Sequence, residues 1–443
     1  MSVTAGMVIT SEKLNLSKMI LIRSIKHCLV LVCVLFFAAC AQNNRLPEYY
    51  NGYLDDKIEE IVQLKANEAD CFFYWTDTHF PDNSGYTPEI MNYIQDRVGP
   101  IKKFYGGDAA KNASALSPAI DMFTSSLEQA GEYGMLYLIR GNHDFTSTTS
   151  SLEPSPETMD NLAVNQYLSN FCASDIVKDE QSAFGNYYYL DCSAGKIRYV
   201  VFDSTDNVAD AKIEYGISDR QINWIFNHAV ATLPDDWSLL FMSHVPFDPN
   251  HTKCDAITQV ADSIAALNTS RNILLCLAGH RHADLESGIG SVFQVLTEAD
   301  CLEDCARTIT PYSLKAEKKC HGTVNEQTLD YVSISADHSV VTFKRIGHGY
   351  DRIFNLRPID VMCGEIVKLP SETLESVRWT VYDAATFVIG SYDETGVRYM
   401  EVNTDAVEHI GEGYAQFSQS GNYIAVALSD DGTKHYYMLV VKN

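Results

Sequence analysis

The chain has 443 residues, 46% of them hydrophobic, so it can form two or three domains with cores of ordinary size. Its formal net charge of −25 argues against a general binder of nucleic acids or anionic membranes, which would need patches of Lys and Arg. A local phosphate site stays possible, because bound metal ions can supply positive charge there.

Residues 1–39 are typical of a targeting segment. Arg23 and Lys26 precede the apolar run 28–39, which is too short to span a bilayer comfortably. The run leads into Phe-Ala-Ala-Cys at residues 37–40, which resembles the bacterial lipoprotein signal, where cleavage precedes a lipid-carrying cysteine. We therefore expect a lipoprotein signal peptide over 1–39 and an exported protein of the bacterial cell envelope, attached to the membrane by lipid on Cys40. An ordinary secretory signal peptide cut near the same place is the alternative.

A tether and a leading helix are expected over residues 40–66. From residue 67, apolar segments alternate with polar loops and helical patterns, which predicts βαβ units and a mostly parallel sheet. Residues 145–185 are polar and irregular, and we expect them to form an insertion over a site. The predicted strands are 71–75, 101–105, 135–139, 187–190, 197–202, 237–241, 273–277, 292–296, 329–335 and 340–346.

The pattern changes near residue 356. Short segments of alternating polarity follow, separated by turns rich in Gly, Asp, Asn and Ser. The turn Asp430-Asp431-Gly432 between two such segments is a hairpin signal. Residues 356–443 are therefore predicted to form a separate all-β module, which we interpret as a sandwich.

Potential metal ligands follow five of the predicted strands at their carboxyl ends. In an open α/β sheet this is the edge where ligands bind, and carboxylate, amide and imidazole groups suit zinc, iron or manganese. Chance could place one or two such residues there, but five such strand ends indicate a metal site. The residues concerned are Asp77, His79, Asp108, Asn142, His143, Asp144, His244, His280 and His282.

The order Asp-x-His, Gly-Asp, Gly-Asn-His-Asp, His, Gly-His-x-His resembles the calcineurin-like metallophosphoesterase superfamily over about residues 70–350. This resemblance implies an α/β fold, a four-layer αββα sandwich over 67–355, beside the C-terminal β-sandwich module. It also implies two divalent or trivalent metal ions, which could be Mn, Fe, Zn or Ni. One ion would be held by Asp77, His79 and His282, the other by Asn142, His244 and His280, and Asp108 would bridge them.

The activity implied by the resemblance is hydrolysis of phosphomonoesters or phosphodiesters. A hydroxide bridging the metals would attack phosphorus in line, and the two cations would stabilise the attacking and leaving oxygens. His143 would be the general acid, and Asp144 would fix its tautomer. The alternative is that these two form a structural pair. Arg140 and Arg281 could bind substrate phosphate, although structural ion pairs are a slightly better interpretation.

One position departs from the pattern of a branch of this superfamily. Purple acid phosphatases, a branch of this superfamily, carry a Tyr ligand three residues after the aspartate of the second block. Here that position is Lys111, so no phenolate ligand is expected.

The rival function is that of a non-catalytic surface lipoprotein whose β-module binds glycan or a partner protein, and the intact ligand set argues against it. The substrate and the oligomeric state are left open.

Overall fold

The computed structural model describes residues 46–80, 85–110, 136–144, 175–182, 186–206, 215–247, 254–300, 308–310, 313–317, 319–370, 378–385, 406–411 and 413–443. The predicted targeting segment, Lys111 and most of the predicted insertion over 145–185 lie outside these residues. Within them, no helix combines the length and the apolar character needed to cross a bilayer.

Strands dominate the described chain, and helices are few. The helices are α1 (Tyr50–Lys65), α2 (Thr87–Val98), α3 (Asp219–Trp224), which continues as a π-helical turn (Ile225–Val230), and α4 (Asp255–Leu267). The strands are β1 (Glu68–Trp75), β2 (Lys102–Tyr105), β3 (Leu136–Leu138), β4 (Val177–Lys178), β5 (Tyr188–Cys192), β6 (Ile197–Val201), β7 (Ser238–Met242), β8 (Asn272–Ala278), β9 (Leu285–Ile289), β10 (Val292–Leu296), β11 (Thr308–Thr310), β12 (Ser313–Glu317), β13 (Thr328–Ser335), β14 (Val340–Gly347), β15 (Arg352–Met362), β16 (Ile366–Lys368), β17 (Arg378–Asp383), β18 (Val407–Gly411), β19 (Tyr414–Phe417), β20 (Gly421–Leu428) and β21 (Lys434–Lys442).

Two large sheets form the centre of the fold. The first has the order β17-β20-β21-β15-β14-β13-β1-β2-β3, and the second has the order β4-β5-β6-β7-β8-β10-β9. Parallel pairing joins β1 to β2 and β2 to β3 in the first sheet, and β6, β7, β8 and β10 in the second. The carboxyl ends of the ligand-bearing strands therefore lie along one edge of each sheet.

The core lies between the two sheets. Phe72 and Phe104 of the first sheet pack against Tyr199 of the second, within one buried cluster. Strand β1 is apolar at every position from Cys71 to Trp75, because both of its faces are covered.

Helices cover the outer faces. Helix α4 packs its apolar side on the second sheet, and Lys103 of β2 donates to Gln95 of α2 on the outer side of the first. The predicted α/β sandwich is confirmed.

The C-terminal residues form an additional β module, as predicted, but it shares a sheet with the rest of the chain. Strand β15 crosses the predicted boundary at 355/356 and pairs with both β14 and β21. A separate sheet of order β16-β19-β18 packs over this extension through Leu369, Phe417 and Leu439. The module is thus a sandwich in which one layer is the continued first sheet.

Candidate metal centre

The structure brings together all seven residues predicted as metal ligands. Each follows the carboxyl end of a strand, namely β1, β2, β3, β7 or β8. One ligand atom from each of Asp77, His79, Asp108 and His282 lies within 4.8 Å of the others, and the same holds for Asp108, His244 and His280. Asp108 belongs to both groups, which is the position expected of a bridging carboxylate.

The first group is held by atoms of both sheets. His282 Nε2 lies 3.2 Å from Asp77 Oδ1 and 3.0 Å from His79 Nε2. His79 Nε2 lies 3.7 Å from Asp108 Oδ2. Nitrogen and oxygen lone pairs thus converge on one point from three loops.

In the second group, His244 Nε2 lies 3.1 Å from Asp108 Oδ2 and 3.2 Å from Asn142 Oδ1. His280 Nδ1 lies 2.9 Å from the same Asn142 oxygen. The other nitrogen of His244, Nδ1, lies 2.8 Å from the Gly106 carbonyl oxygen, which can only accept a hydrogen bond. Nδ1 therefore carries a proton, and Nε2 is the ring nitrogen that faces the ligand cluster, as in metal-binding histidines.

Two buried carboxylate oxygens indicate which kind of group this site can bind. Asp77 Oδ1 and Asp108 Oδ2 are buried, and neither has a hydrogen-bond partner among the described residues. Leaving such an atom unsatisfied costs about 1–3 kcal/mol, and more when it is charged. Both oxygens face imidazole nitrogens of the cluster, so the donor set fits two cations.

Backbone strain is concentrated at the same residues. Seven non-glycine residues of the described chain have positive φ angles, and five of them are predicted ligands. Such conformations cost energy for residues with a Cβ and cluster at functional sites. The five are Asp77 (56°), His79 (51°), Asp108 (54°), His280 (68°) and His282 (52°).

Glycines allow the loops to approach one another. A Cβ at Gly141 would lie 2.1 Å from Asp108 Oδ1, and one at Gly279 would lie 2.6 Å from Asp77 Oδ2. No side chain fits at either position without displacing a ligand. These two glycines belong to the motifs Gly-Asn-His-Asp and Gly-His-x-His, so the close packing explains their place in the pattern.

Electrostatics favour a cation at the centre. Burial raises the pKa of Asp77, but the imidazoles of His282 and His244 outweigh it and hold that pKa well below its ordinary value. Burial lowers the pKa of His244, but the carboxylates of Asp108 and Asp77 outweigh it and raise that pKa to about 9. The carboxylates that stabilise a proton on His244 would equally stabilise a metal ion there.

Asp144 supports the loops of the site, and its predicted role as the partner of His143 stays a prediction. Its Oδ2 accepts hydrogen bonds from the backbone N–H groups of Gly141 and Asp108, and its Oδ1 accepts one from Ala110. Both carboxylate oxygens are thus used to join the loops after β2 and β3. Burial and the charge of Asp108 raise the pKa of Asp144 to about 7.

His143 lies at the edge of the cluster. Its backbone N–H donates to Asp108 Oδ1 at 2.8 Å, and its half-buried ring meets the His79 ring edge to face at 4.8 Å. The side chain is therefore next to the ligands without being one of the two groups, and its role as general acid stays a prediction.

The two predicted phosphate contacts differ from each other. Arg140 is fully buried, and its guanidinium donates to Asp203 and Thr205, with Nη2 2.5 Å from Asp203 Oδ2. Arg140 therefore makes the structural ion pair that the sequence analysis slightly preferred, and its contact with substrate phosphate stays a prediction. Arg281 is half-buried between the two histidine ligands, and its contact with substrate stays a prediction.

Sequence reasoning missed residues that orient the ligands. Thr76 donates its hydroxyl to Asp77 Oδ2 at 2.7 Å, and the His280 backbone N–H donates to the same oxygen at 3.0 Å. Asp203 follows β6 and anchors the loop of Asn142 through Arg140. Its place after a strand was a usable signal, whereas nothing in the sequence distinguishes Thr76.

Comparison with known proteins yields distant structural similarity only. No family model and no curated protein matches the chain. It is similar to a dimetal phosphatase from Danio rerio, at 15% identity and a TM-score of 0.45, over 66% of this chain and 100% of that one. It is also similar to a phosphopantetheinyl hydrolase from Mycobacterium tuberculosis (14%, 0.31, over 53% and 90%) and to a 5'-nucleotidase precursor from Thermus thermophilus (10%, 0.33, over 62% and 54%). At these identities and TM-scores, function has to be inferred from the chain's own side chains.

Proposed function

We propose that the protein is a metal-dependent phosphoesterase that uses two bound cations to hydrolyse phosphomonoesters or phosphodiesters. Asp108 carries this proposal. It is shared by two groups of ligands, and its buried Oδ2 has no hydrogen-bond partner among the described residues. A carboxylate in that position suits two adjacent cations, which is the arrangement of many phosphoryl-transfer sites.

The chain's own groups have separate tasks in this reaction. Asp77, His79 and His282 would hold one cation, and Asn142, His244 and His280 would hold the other. When bound, the two cations would polarise the phosphoryl group and make a water molecule acidic enough to attack it.

His143 donates a proton to the leaving oxygen, since its half-buried ring lies beside the ligands. Asp144 keeps the loops after β2 and β3 in register through its three backbone contacts.

The substitution Asp108→Asn tests the proposal. It keeps the size of the side chain but removes the charge that both cations need, so activity should fall by more than the roughly 100-fold that loss of an outer partner costs. Metal content after dialysis and hydrolysis of p-nitrophenyl phosphate and bis(p-nitrophenyl) phosphate should be measured with Mn, Fe, Zn and Ni. Asp236→Asn, at an exposed pair with Lys196, is the matched control and should leave both quantities unchanged.

Two outcomes would contradict the proposal. One is a wild-type protein that takes up no metal and hydrolyses neither ester. The other is Asp108→Asn protein with unchanged turnover. The first result would favour the non-catalytic surface protein, whose β-module binds glycan or a partner.

We also propose that the protein is exported and held at the bacterial cell envelope by lipid on Cys40. The support is the order of basic residues, short apolar run and Phe-Ala-Ala-Cys at residues 23–40. A phosphate ester present at the envelope would then be the natural substrate.

A further inference from the structure

A cluster of buried charges lies next to the metal centre, where the second sheet meets the first. All of its members are buried. They come from strands of both sheets, namely β9, β13, β14, β15 and β21, and from the segments beside β9 and β10. They are Asp284, Glu286, Glu298, Asp330, Arg345, Arg352 and Lys434.

Arg345 is at the centre of this cluster. One edge of its guanidinium donates to both oxygens of Asp284, at 2.9 Å and 2.8 Å. The adjacent edge, formed by Nε and the same Nη2, donates to both oxygens of Asp330, at 2.8 Å and 3.3 Å. Gly349 packs directly against it, since a Cβ there would lie 2.1 Å from Nη1. The guanidinium is therefore held from three sides.

Its two partners connect different parts of the metal centre. Asp284 lies two residues after His282, in the loop that follows β8. Asp330 lies opposite Tyr74 in the β1–β13 pairing, and Tyr74 is three residues before Asp77. Arg345 thus links the loop that carries His282 to the strand pair that carries Asp77 and His79.

Stability alone is a weak reason for such a cluster. Desolvation offsets much of the attraction in a buried ion pair, and apolar side chains of similar volume often serve as well. A bidentate carboxylate–arginine pair, however, fixes both position and orientation. Metal ligands need to be held within about 0.5 Å, and Arg345 joins Asp284 beside the second sheet to Asp330 of the first.

We propose that Arg345, acting through Asp284, is a positioning residue for the cation site formed by Asp77, His79 and His282. The inference rests on the proposed function. The other group takes only His280 from this loop. It depends less on Arg345, because its His244 is oriented by the Gly106 carbonyl and its Asn142 follows β3. Weakening the pair should therefore lower the affinity for one cation and leave the other bound.

Arg345→Lys tests the positioning role, because lysine keeps the positive charge but cannot make the paired hydrogen bonds of the guanidinium. Asp284→Asn is a second variant, which keeps the shape and loses the charge. Binding of Mn²⁺ and Zn²⁺ alone should be followed by calorimetry and by metal analysis after dialysis, with circular dichroism as the check on folding. Arg198→Lys is the matched control, because Arg198 makes a similar two-pronged pair with Asp191 at the amino end of β6.

We expect two ions in the wild-type protein, and binding of one of them weakened about 10- to 100-fold in both test variants. At a metal concentration that just saturates the wild type, the variants should retain one ion, and excess metal should restore kcat. A merely structural role would give no such rescue.

Three results separate the possible failures. A wild-type protein without metal would overturn the proposed function itself. Two ions of unchanged affinity in a folded Arg345→Lys or Asp284→Asn protein would overturn the positioning role alone. An equal loss of metal in Arg198→Lys would also overturn it, since general weakening of the sandwich would then explain the effect.

Discussion

His143 differs from its neighbours in the way it meets the metal centre. Its backbone N–H is fixed by the hydrogen bond to Asp108 Oδ1. Its half-buried ring instead packs edge to face against the His79 ring. Any residue at this position would keep the backbone contact. The imidazole can therefore be removed without dismantling the ligand groups, which separates its chemistry from metal binding.

We predict that His143→Ala lowers kcat by about 10²- to 10⁴-fold, the usual contribution of a general acid, while the metal content stays at the wild-type value. The loss should be largest for alkyl phosphates and smallest for nitrophenyl esters, whose leaving groups need little protonation. Steady-state kinetics over a series of leaving groups gives the measurement. His321→Ala, at a largely exposed histidine, is the control, and an equal loss for every leaving group would speak against a proton donor.

At the scale of elements, the sequence shows which segments are strands and which residues come directly after each strand. The buried run 273–277 and the ligands after it were predictable, because apolar runs and polar strand ends are local properties. Pairing partners are not local. Strand β20 alternates Tyr423 and Ala425, which face the outer sandwich, with Ile424 and Val426, which face the main core. An isolated sandwich would require the same alternation, so the shared sheet could not be inferred.

The same limit applies to individual partners in the site. Asp144 was expected beside the His143 ring because the two are adjacent in the chain. The structure shows that its oxygens also accept hydrogen bonds from backbone N–H groups of both loops, which the sequence could not reveal. Arg140 donates a hydrogen bond to Asp203, which lies sixty-three residues away in the sequence and follows a strand of the other sheet. Residue type and position after a strand identified the candidate ligands, whereas long-range hydrogen bonds determine the supporting contacts.

The shared sheet predicts that residues 1–355 will not fold alone. Truncation there divides β15 and removes β21, whose Tyr436 stacks on Phe354 at 4.6 Å in the main core.

In the intact chain, Tyr436→Ala should cost about 3–5 kcal/mol of unfolding free energy, because the removed ring leaves a buried cavity. Tyr437→Ala, at the half-buried neighbour on the opposite face, should cost less. Urea unfolding measures both, and a soluble, active 1–355 fragment would refute the dependence.

For the whole molecule, net charge determines what can hold it at a membrane. A formal charge of −25 gives no attraction to anionic lipid, and no described helix could span a bilayer. Lipid on Cys40 is the membrane anchor that we propose from the sequence. Burial of acyl chains contributes about 0.8 kcal/mol per CH₂ group and does not depend on salt.

We therefore predict that full-length protein produced in a bacterial host takes up labelled palmitate and sediments with membranes, and that high salt does not release it. Cys40→Ser should abolish labelling and move the protein to the soluble fraction, because no electrostatic attraction remains to replace the lipid. Cys28→Ser, at a cysteine inside the predicted signal peptide, is the matched control and should behave like the wild type. Unlabelled wild-type protein in the soluble fraction would instead favour an ordinary secretory signal peptide, and the proposed phosphoesterase would then act as a freely diffusing exported enzyme.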